Sequence, residues 1–243
     1  MDEYISSTYG ERLADVYDDW YGSFEDAAIE TLADLAGSGP ALELGVGTGR
    51  IALPLAAKGI EVRGIDASAA MVSKLRARPE GDSIAVTMGN FADVAVEGKF
   101  SLVFVVFNTF FALLTQEEQV RCFRNVAEHL TGDGKFLIEV FVPDVARFIA
   151  GQNVRASTIT TERVSLQVSE HNSVEQQVMS QHIVFFNNEV RQFPVKIRYA
   201  WPSELDLMAQ LAGLKLRHRW GNWNREEFNS RSEKHVSVYE RLP

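Results

Sequence analysis

The stretch "LELGVGTGR", Leu42 to Arg50, decides how this chain is read. An apolar run ends on three glycines, Gly45, Gly47 and Gly49, and an apolar helical stretch follows directly. Glycines at a strand-to-helix turn let a ligand approach the backbone closely and leave the helix N-terminus facing it. A dinucleotide loop needs G-x-G-x-x-G, and its third glycine is replaced here by Arg50. Glu43, two residues before the first glycine, also argues against a pyrophosphate, which a helix N-terminus binds best with no anion nearby.

A ligand with a cationic amine and no phosphate suits both features. S-adenosylmethionine is such a ligand, with an α-ammonium and a sulfonium, and glycines admit its methionine part. Candidates for its other parts follow at successive strand ends, where open α/β sheets bind ligands. "GIDAS" carries Asp66, whose two oxygens can accept both ribose hydroxyls. "TMGNF" offers Asn90 to the adenine amine and Phe91 to the ring face. Ala67, Met71 and Phe107 extend the expected cofactor wall, and Asn108 and Thr109 break an apolar run as a pocket-lining loop would.

Working outward from the loop, apolar runs alternate with helical stretches from Pro40 to about Pro143. The runs are "ALEL", "EVRGID", "IAVTMG", "SLVFVVF" and "KFLIEVFV". Continuous apolar strands separated by helices indicate a parallel sheet covered on both faces. "GRIALPLAAKG" is expected to be helical from near Arg50 to Gly59, and "TQEEQVRCFRNVAEHL" opens with a capping box, Thr115 to Glu118. "TGDGK" is expected as a turn into the next strand. "SELDLMAQLAG" reads as a helix capped by Ser203 and stopped by Gly213, followed by strands "LKLRHRW" and "KHVSVYERL".

Between about Gly151 and Tyr199 the period changes to two. "RVSLQVSEH", "VEQQVMSQHIVFF" and "EVRQFPVKIRYA" read as half-exposed antiparallel strands, with "NNE" at 187–189 as a hairpin turn. Residues 1–150 and 200–243 thus form the core, and residues 151–199 an inserted antiparallel layer that covers the substrate or makes a homodimer contact.

The chain of 243 residues has net charge −9 and a pI near 5.1, which argues against a nucleic-acid partner. Cys122 is the single cysteine, so no internal disulfide forms and a reducing, cytoplasmic location fits. No signal peptide or membrane-spanning run is read. No Cys/His cluster has metal-ligand spacing.

The chain resembles the class I S-adenosylmethionine-dependent methyltransferases over nearly its whole length. "LELGVGTGR" resembles their first motif, "GIDAS" the acidic ribose motif, "MGNF" the adenine motif and "LTGDGKFLIEV" the fifth-strand motif. Asn90 stands where that adenine motif usually has aspartate. The resemblance implies a Rossmann-like seven-strand sheet, S-adenosylmethionine as cofactor with S-adenosylhomocysteine as product, and methylation of nitrogen or oxygen on a small molecule. "YGERLADVYDDWYG" resembles the lid helix, which makes Tyr9, Tyr17 and Trp20 lid candidates. The inserted layer resembles that of N-methyltransferases acting on amino sugars. Some of those carry a histidine shortly after the fourth strand, and Ala112 stands at the matching position.

No general base stands out. His182, in the inserted layer, is the candidate nearest an expected substrate wall; His129, His171, His218 and His235 read as structural. Glu139 and Asp144 flank the end of the fifth strand, and "RHRWGNWNREEF" brings Trp220, Trp223 and Arg225 as further pocket candidates. A cofactor-binding sensor or scaffold without methyl transfer is the alternative from another class.

Overall fold

The computed structural model describes residues 4–22, 24–187 and 189–242. Two short helices, α1 (Thr8–Leu13) and α2 (Tyr17–Tyr21), precede α3 (Asp26–Ala36). Strands β1 (Ala41–Leu44), β2 (Val62–Asp66), β3 (Ala85–Met88), β4 (Phe100–Val105) and β5 (Leu130–Phe141) then alternate with α4 (Ala52–Ala57), α5 (Ala69–Arg76) and α6 (Gln116–His129). Four consecutive strands follow, β6 (Gln152–Ile159), β7 (Arg163–Asn172), β8 (Gln177–Phe186) and β9 (Glu189–Arg198), and then α7 (Pro202–Leu211), β10 (Leu214–Trp220) and β11 (Lys234–Arg241).

The main sheet runs β3-β2-β1-β4-β5-β11-β10, and β11 is antiparallel to both neighbours. Alternate residues of the central strands feed two cores. Leu42, Val103, Val105, Phe136 and Ile138 join a cluster with α6 and α7. Ala41, Leu102, Phe104 and Leu137 join one with α3 and α4. Burial on both faces is why these strands read as unbroken apolar runs. The strand order reverses beside β1, so the loops after β1 and β4 diverge and leave a crevice at the carboxyl ends.

Local chemistry explains the boundaries. Thr115 and Glu118 form the expected capping box on α6. Ser203 is not a cap: Pro202 takes the first turn of α7, and Trp201 holds the N-cap position without a side-chain bond. Proline is pre-set for that position. "TGDGK" is not a separate turn either. β5 already pairs at Leu130↔Phe100, and residues 131–134 are accommodated before pairing resumes at Lys135↔Leu102.

The second sheet, β6-β7-β8-β9, is wholly antiparallel. Its first strand, "QNVRASTI", lacks the alternation of the other three and is seen only in the structure. Asn188, the centre of the expected "NNE" hairpin turn, lies outside the described residues. Pro194 has no N–H to donate and sits in β9, an edge strand, where that costs least. One face buries Ser165, Ser169, Val178, Ser180 and Phe193, while the other exposes Val154, Val168, Phe185 and Val190.

The layer is rooted in the core by a buried polar network. Arg198, 5% exposed, donates to Gln119 at 2.5 Å and to Glu204 at 2.8 Å. Gln176 donates to Glu204 at 2.8 Å, and Gln119 donates back to the Arg198 carbonyl at 2.9 Å. Every member is satisfied, which makes such a network rigid. Among the described residues no helix is long and apolar enough to cross a membrane.

Candidate active site

A cavity of about 470 Å³ opens where the carboxyl ends of β1, β2 and β3 face the N-terminal helices and the second sheet. That size matches pockets for small molecules and cofactors, roughly 300–1,000 Å³. Its floor includes Gly45, Gly47, Asp66, Ala67, Met71, Asn90 and Phe91, so these predicted residues converge on one wall. Gly45 has φ of 77°, and a Cβ there would meet Thr109 Cγ2 at 2.5 Å. Both the backbone conformation and the close approach require glycine.

Asp66 braces this floor. One carboxylate oxygen accepts the Gly47 N–H at 2.7 Å and the other the Ser68 N–H at 2.8 Å. Each oxygen keeps a further lone pair for a ligand hydroxyl. Burial raises the Asp66 pKa, opposed by the backbone N–H groups of Ser68 and Gly47. Asn90 accepts the Ala92 N–H at 2.9 Å and donates to Glu118 at 3.2 Å, so the capping residue of α6 also orients the Asn90 side chain.

Glu43 does not border the cavity. It is 3% exposed on β1 with Oε2 lacking any partner among the described residues, and burial pushes its pKa well above the carboxylate range. Arg50 partly opposes that rise. The guanidinium lies 4.1 Å from the ring centroid of Phe107 and within 5.9 Å of those of Tyr17, Tyr21 and Phe24. In the sequence Arg50 shows only as a missing glycine; its aromatic surroundings arise from tertiary packing.

Phe107, expected to end the fourth strand, lies two residues beyond β4. Phe107 and Asn108 have φ of 57° and 63°, two left-handed non-glycine residues in succession. Such strain persists only where the surroundings over-determine it. Glu139 Oε2 accepts the Phe107 N–H at 2.6 Å, the Glu139 carbonyl accepts the Asn108 N–H at 3.2 Å, and Asn108 Oδ1 accepts the Phe141 N–H at 2.7 Å. Glu139 therefore shapes the wall from behind. Thr109, Ala112, Leu113 and Phe141 continue that wall.

The N-terminal segment closes one side. It is two helices rather than the single lid helix expected, broken at residues 14–16. Tyr9, Tyr17 and Tyr21 line the cavity, with Tyr17–Tyr21 and Tyr21–Phe107 ring centroids 4.9 and 4.8 Å apart. Burial raises Tyr9 well above the usual phenol range and pushes Tyr17 up to about 12, so both hydroxyls remain protonated at neutral pH. Acidic residues fasten the segment. Glu11 accepts from Ser68 Oγ at 2.8 Å, and Asp18 accepts from Thr48 at 2.7 Å and from Arg78 at 2.5 Å. Gly10 permits the contact, because a Cβ there would fall 2.4 Å from Ser68 Cβ. Trp20 does not line the cavity; its ring packs 4.7 Å from Phe193 behind the wall.

The second sheet forms the roof. Arg155 stands opposite Gln167, and Gln167 opposite His182. All three line the cavity, together with Ser180, Val178, Ile197 and Arg147. Burial and the Arg155 charge lower the His182 pKa, which keeps its ring neutral at pH 7. Inward positions of period-two strands are the signal that could have pointed to Gln167 and Ser180. Arg147, Arg155 and Tyr21 needed the register and packing.

Other candidates lie elsewhere. Trp223 is 1% exposed in the core, Arg225 pairs with Asp34 at 2.7 Å, and Trp220 stacks on His218. Asp144 caps its own turn. His129 bonds the Asn125 carbonyl, and burial keeps His235 neutral with a pKa of about 3. Cys122 is buried and its thiol pKa is raised.

A seven-strand sheet whose last strand, β11, is inserted antiparallel between β5 and β10, a glycine loop after β1 and a carboxylate ending β2 define the class I methyltransferase architecture. The family described as "Methyltransferase domain" matches residues 41–134. The CcbJ methyltransferase of Streptomyces caelestis is 40% identical, with a TM-score of 0.91 over 99% of this chain and 100% of that one. The cypemycin N-terminal methyltransferase of a Streptomyces species is 29% identical over 203 residues, 82% of each chain. CalS10, an amino pentose methyltransferase of Micromonospora echinaspora solved with S-adenosylmethionine bound, shares the fold at 19% identity and a TM-score of 0.70, over 100% of this chain and 99% of that one. The chain belongs to the S-adenosylmethionine-dependent methyltransferases, and S-adenosylmethionine is its methyl donor.

Proposed function

We propose that this methyltransferase acts on the amine nitrogen of a small molecule. The carrying observation is the roof of the cavity. Arg155 and Arg147 face it, His182 is held neutral, and Asp66 is the sole acidic side chain on the wall among the described residues. A cationic surround disfavours an ammonium ion, so an amine arrives at the site as the neutral nucleophile. A hydroxyl would need a base, and His182, with its lowered pKa, is a weak one.

The residues present fit the donor. The glycine cradle at Gly45 and Gly47 receives the methionine part, and Asp66 the ribose hydroxyls. Asn90 and Phe91 receive the adenine, with Ala67 and Met71 beside them. Glu43, beneath the cavity floor with Oε2 unpartnered among the described residues, would act on the ammonium through water rather than by direct contact. Bound there, S-adenosylmethionine supplies the electrophilic methyl group. The protein supplies alignment and dryness: Tyr9, Tyr17, Tyr21 and Phe107 line the cavity with aromatic surface that excludes water. The proton released from the methylated ammonium leaves to solvent, with neutral His182 on the wall as its candidate relay.

A panel of amines and matched alcohols, incubated with S-adenosylmethionine and read by mass spectrometry, tests the acceptor atom. N-methyl products are expected; methyl on the alcohols alone would overturn the nitrogen assignment. The exposed Val154, Val168, Phe185 and Val190 of the outer face support a homodimer through the second sheet. Sedimentation of the Phe185→Glu variant should show monomer where wild type shows dimer, and a monomeric wild type sinks the proposal.

A further inference from the structure

We infer that the acceptor carries an oxyanion, a carboxylate or a phosphate monoester, seated by Arg155 and Arg147 at the roof of the cavity. This rests on the methyl-transfer reading above and adds the class of molecule methylated. Directly opposed residues of adjacent strands share a face. Arg155, Gln167 and His182 are opposed in one row across β6, β7 and β8, and all three border the cavity. Arg147 reaches the same space from the segment between β5 and β6, its guanidinium 4.8 Å from the Phe148 ring centroid.

Neither guanidinium lies within ion-pair distance of a carboxylate among the described residues. Acids outnumber bases 33 to 24 in this chain, so partners are not scarce. Arg63, Arg78, Arg121, Arg198, Arg219 and Arg225 are paired, while Arg12, Arg50, Arg124, Arg163, Arg191, Arg231 and Arg241 are not, among the described residues; what sets the exposed Arg147 and Arg155 apart from these is that both border the cavity. Burial holds the Arg147 pKa down; Asp144 partly opposes that, and the Arg155 charge adds to it. Asp66, the one carboxylate on the wall among the described residues, is at the floor and already accepts from Gly47 and Ser68. Planar guanidinium forks match oxyanions in two-point hydrogen bonds. The Gln167 amide, opposite Arg155, adds donor capacity.

The room available sets the shape of the acceptor. The cavity of about 470 Å³ is shared with the cofactor. An acceptor whose amine reaches the methyl group therefore spans a short distance between floor and roof, with the anion at the opposite end from the nitrogen.

The test uses full-length protein saturated with S-adenosylhomocysteine, titrated calorimetrically with ω-amino carboxylates of increasing length, their methyl esters and ω-aminoalkyl phosphates. The acids are expected to bind roughly ten- to a hundredfold more tightly than the esters, the range of one to two charge-assisted hydrogen bonds. The carboxylate and phosphate arms tell which oxyanion is preferred. Arg155→Gln and Arg147→Gln should each erode that preference while S-adenosylhomocysteine binds as in wild type. Acids and esters binding alike, no acid binding at all, or a preference that survives both substitutions would overturn the inference. Loss of S-adenosylhomocysteine binding in the wild type would instead sink the methyl-transfer reading itself.

Discussion

Glu139 illustrates how a single side chain can shape a site without entering it. It is 7% exposed and its carboxylate holds the Phe107 N–H, while Lys234 lies 3.6 Å away. Glu139→Ala leaves that N–H without its acceptor and should cost about 1–3 kcal/mol in urea unfolding. Glu139→Gln keeps an acceptor oxygen and should cost clearly less. Equal losses would mean that charge, not the hydrogen bond, is what matters. Glu43 poses the opposite case. Its folded pKa is raised, so its contribution to stability is full below the unfolded value and is lost as pH rises through the folded one. Glu43→Gln should therefore raise the Tm of the ligand-free protein at pH 7–8, with the gain shrinking toward pH 4, and should weaken S-adenosylhomocysteine binding. A lower Tm at neutral pH would contradict this assignment. Glu43 was legible in sequence as a carboxylate beside the glycines; its isolation from the cavity was not, because that depends on Arg50 and the strands around it.

At the scale of elements, the N-terminal helices and the second sheet differ in how they are attached. The helices are fastened by partly exposed contacts, chiefly Asp18 to Thr48 and Arg78 and Glu11 to Ser68. Such contacts are weak and salt-screened. Asp18→Asn removes the ion pair and should speed S-adenosylhomocysteine release several-fold in stopped-flow measurements, with wild-type release accelerating toward the variant rate as salt rises. Identical rates would show that these helices do not control release. The second sheet is instead anchored by Arg198, buried and engaged with Gln119, Gln176 and Glu204. Arg198→Ala leaves Glu204 held only by Gln116 and Gln176 and should destabilise the protein by about 3 kcal/mol. The capping box of α6 was readable because its partners are three residues apart. The Arg198 network was not, since Gln119 and Arg198 are brought together only by folding.

For the molecule as a whole, the cavity exists because three pieces distant in the chain meet: strand ends, N-terminal helices and the second sheet. Ligand that binds only this assembled state stabilises it by mass action, about 2.7 kcal/mol at a hundredfold excess over Kd. S-adenosylhomocysteine should therefore raise the Tm of wild type, and that rise should vanish in Asp66→Ala. A full rise in the variant would remove Asp66 from the cofactor site.

The sequence by itself determined the parallel sheet, the glycine loop, the acidic end of β2 and the period-two layer, because each is a local pattern of apolar spacing or backbone freedom. The tertiary structure alone decided which side chains face the cavity. It turned Trp20 and Trp223 away from it, hid Glu43 beneath it, and brought Arg147, Arg155 and Tyr21 to its wall. Those outcomes depend on strand register and on contacts between distant segments, and no spacing along the chain encodes them.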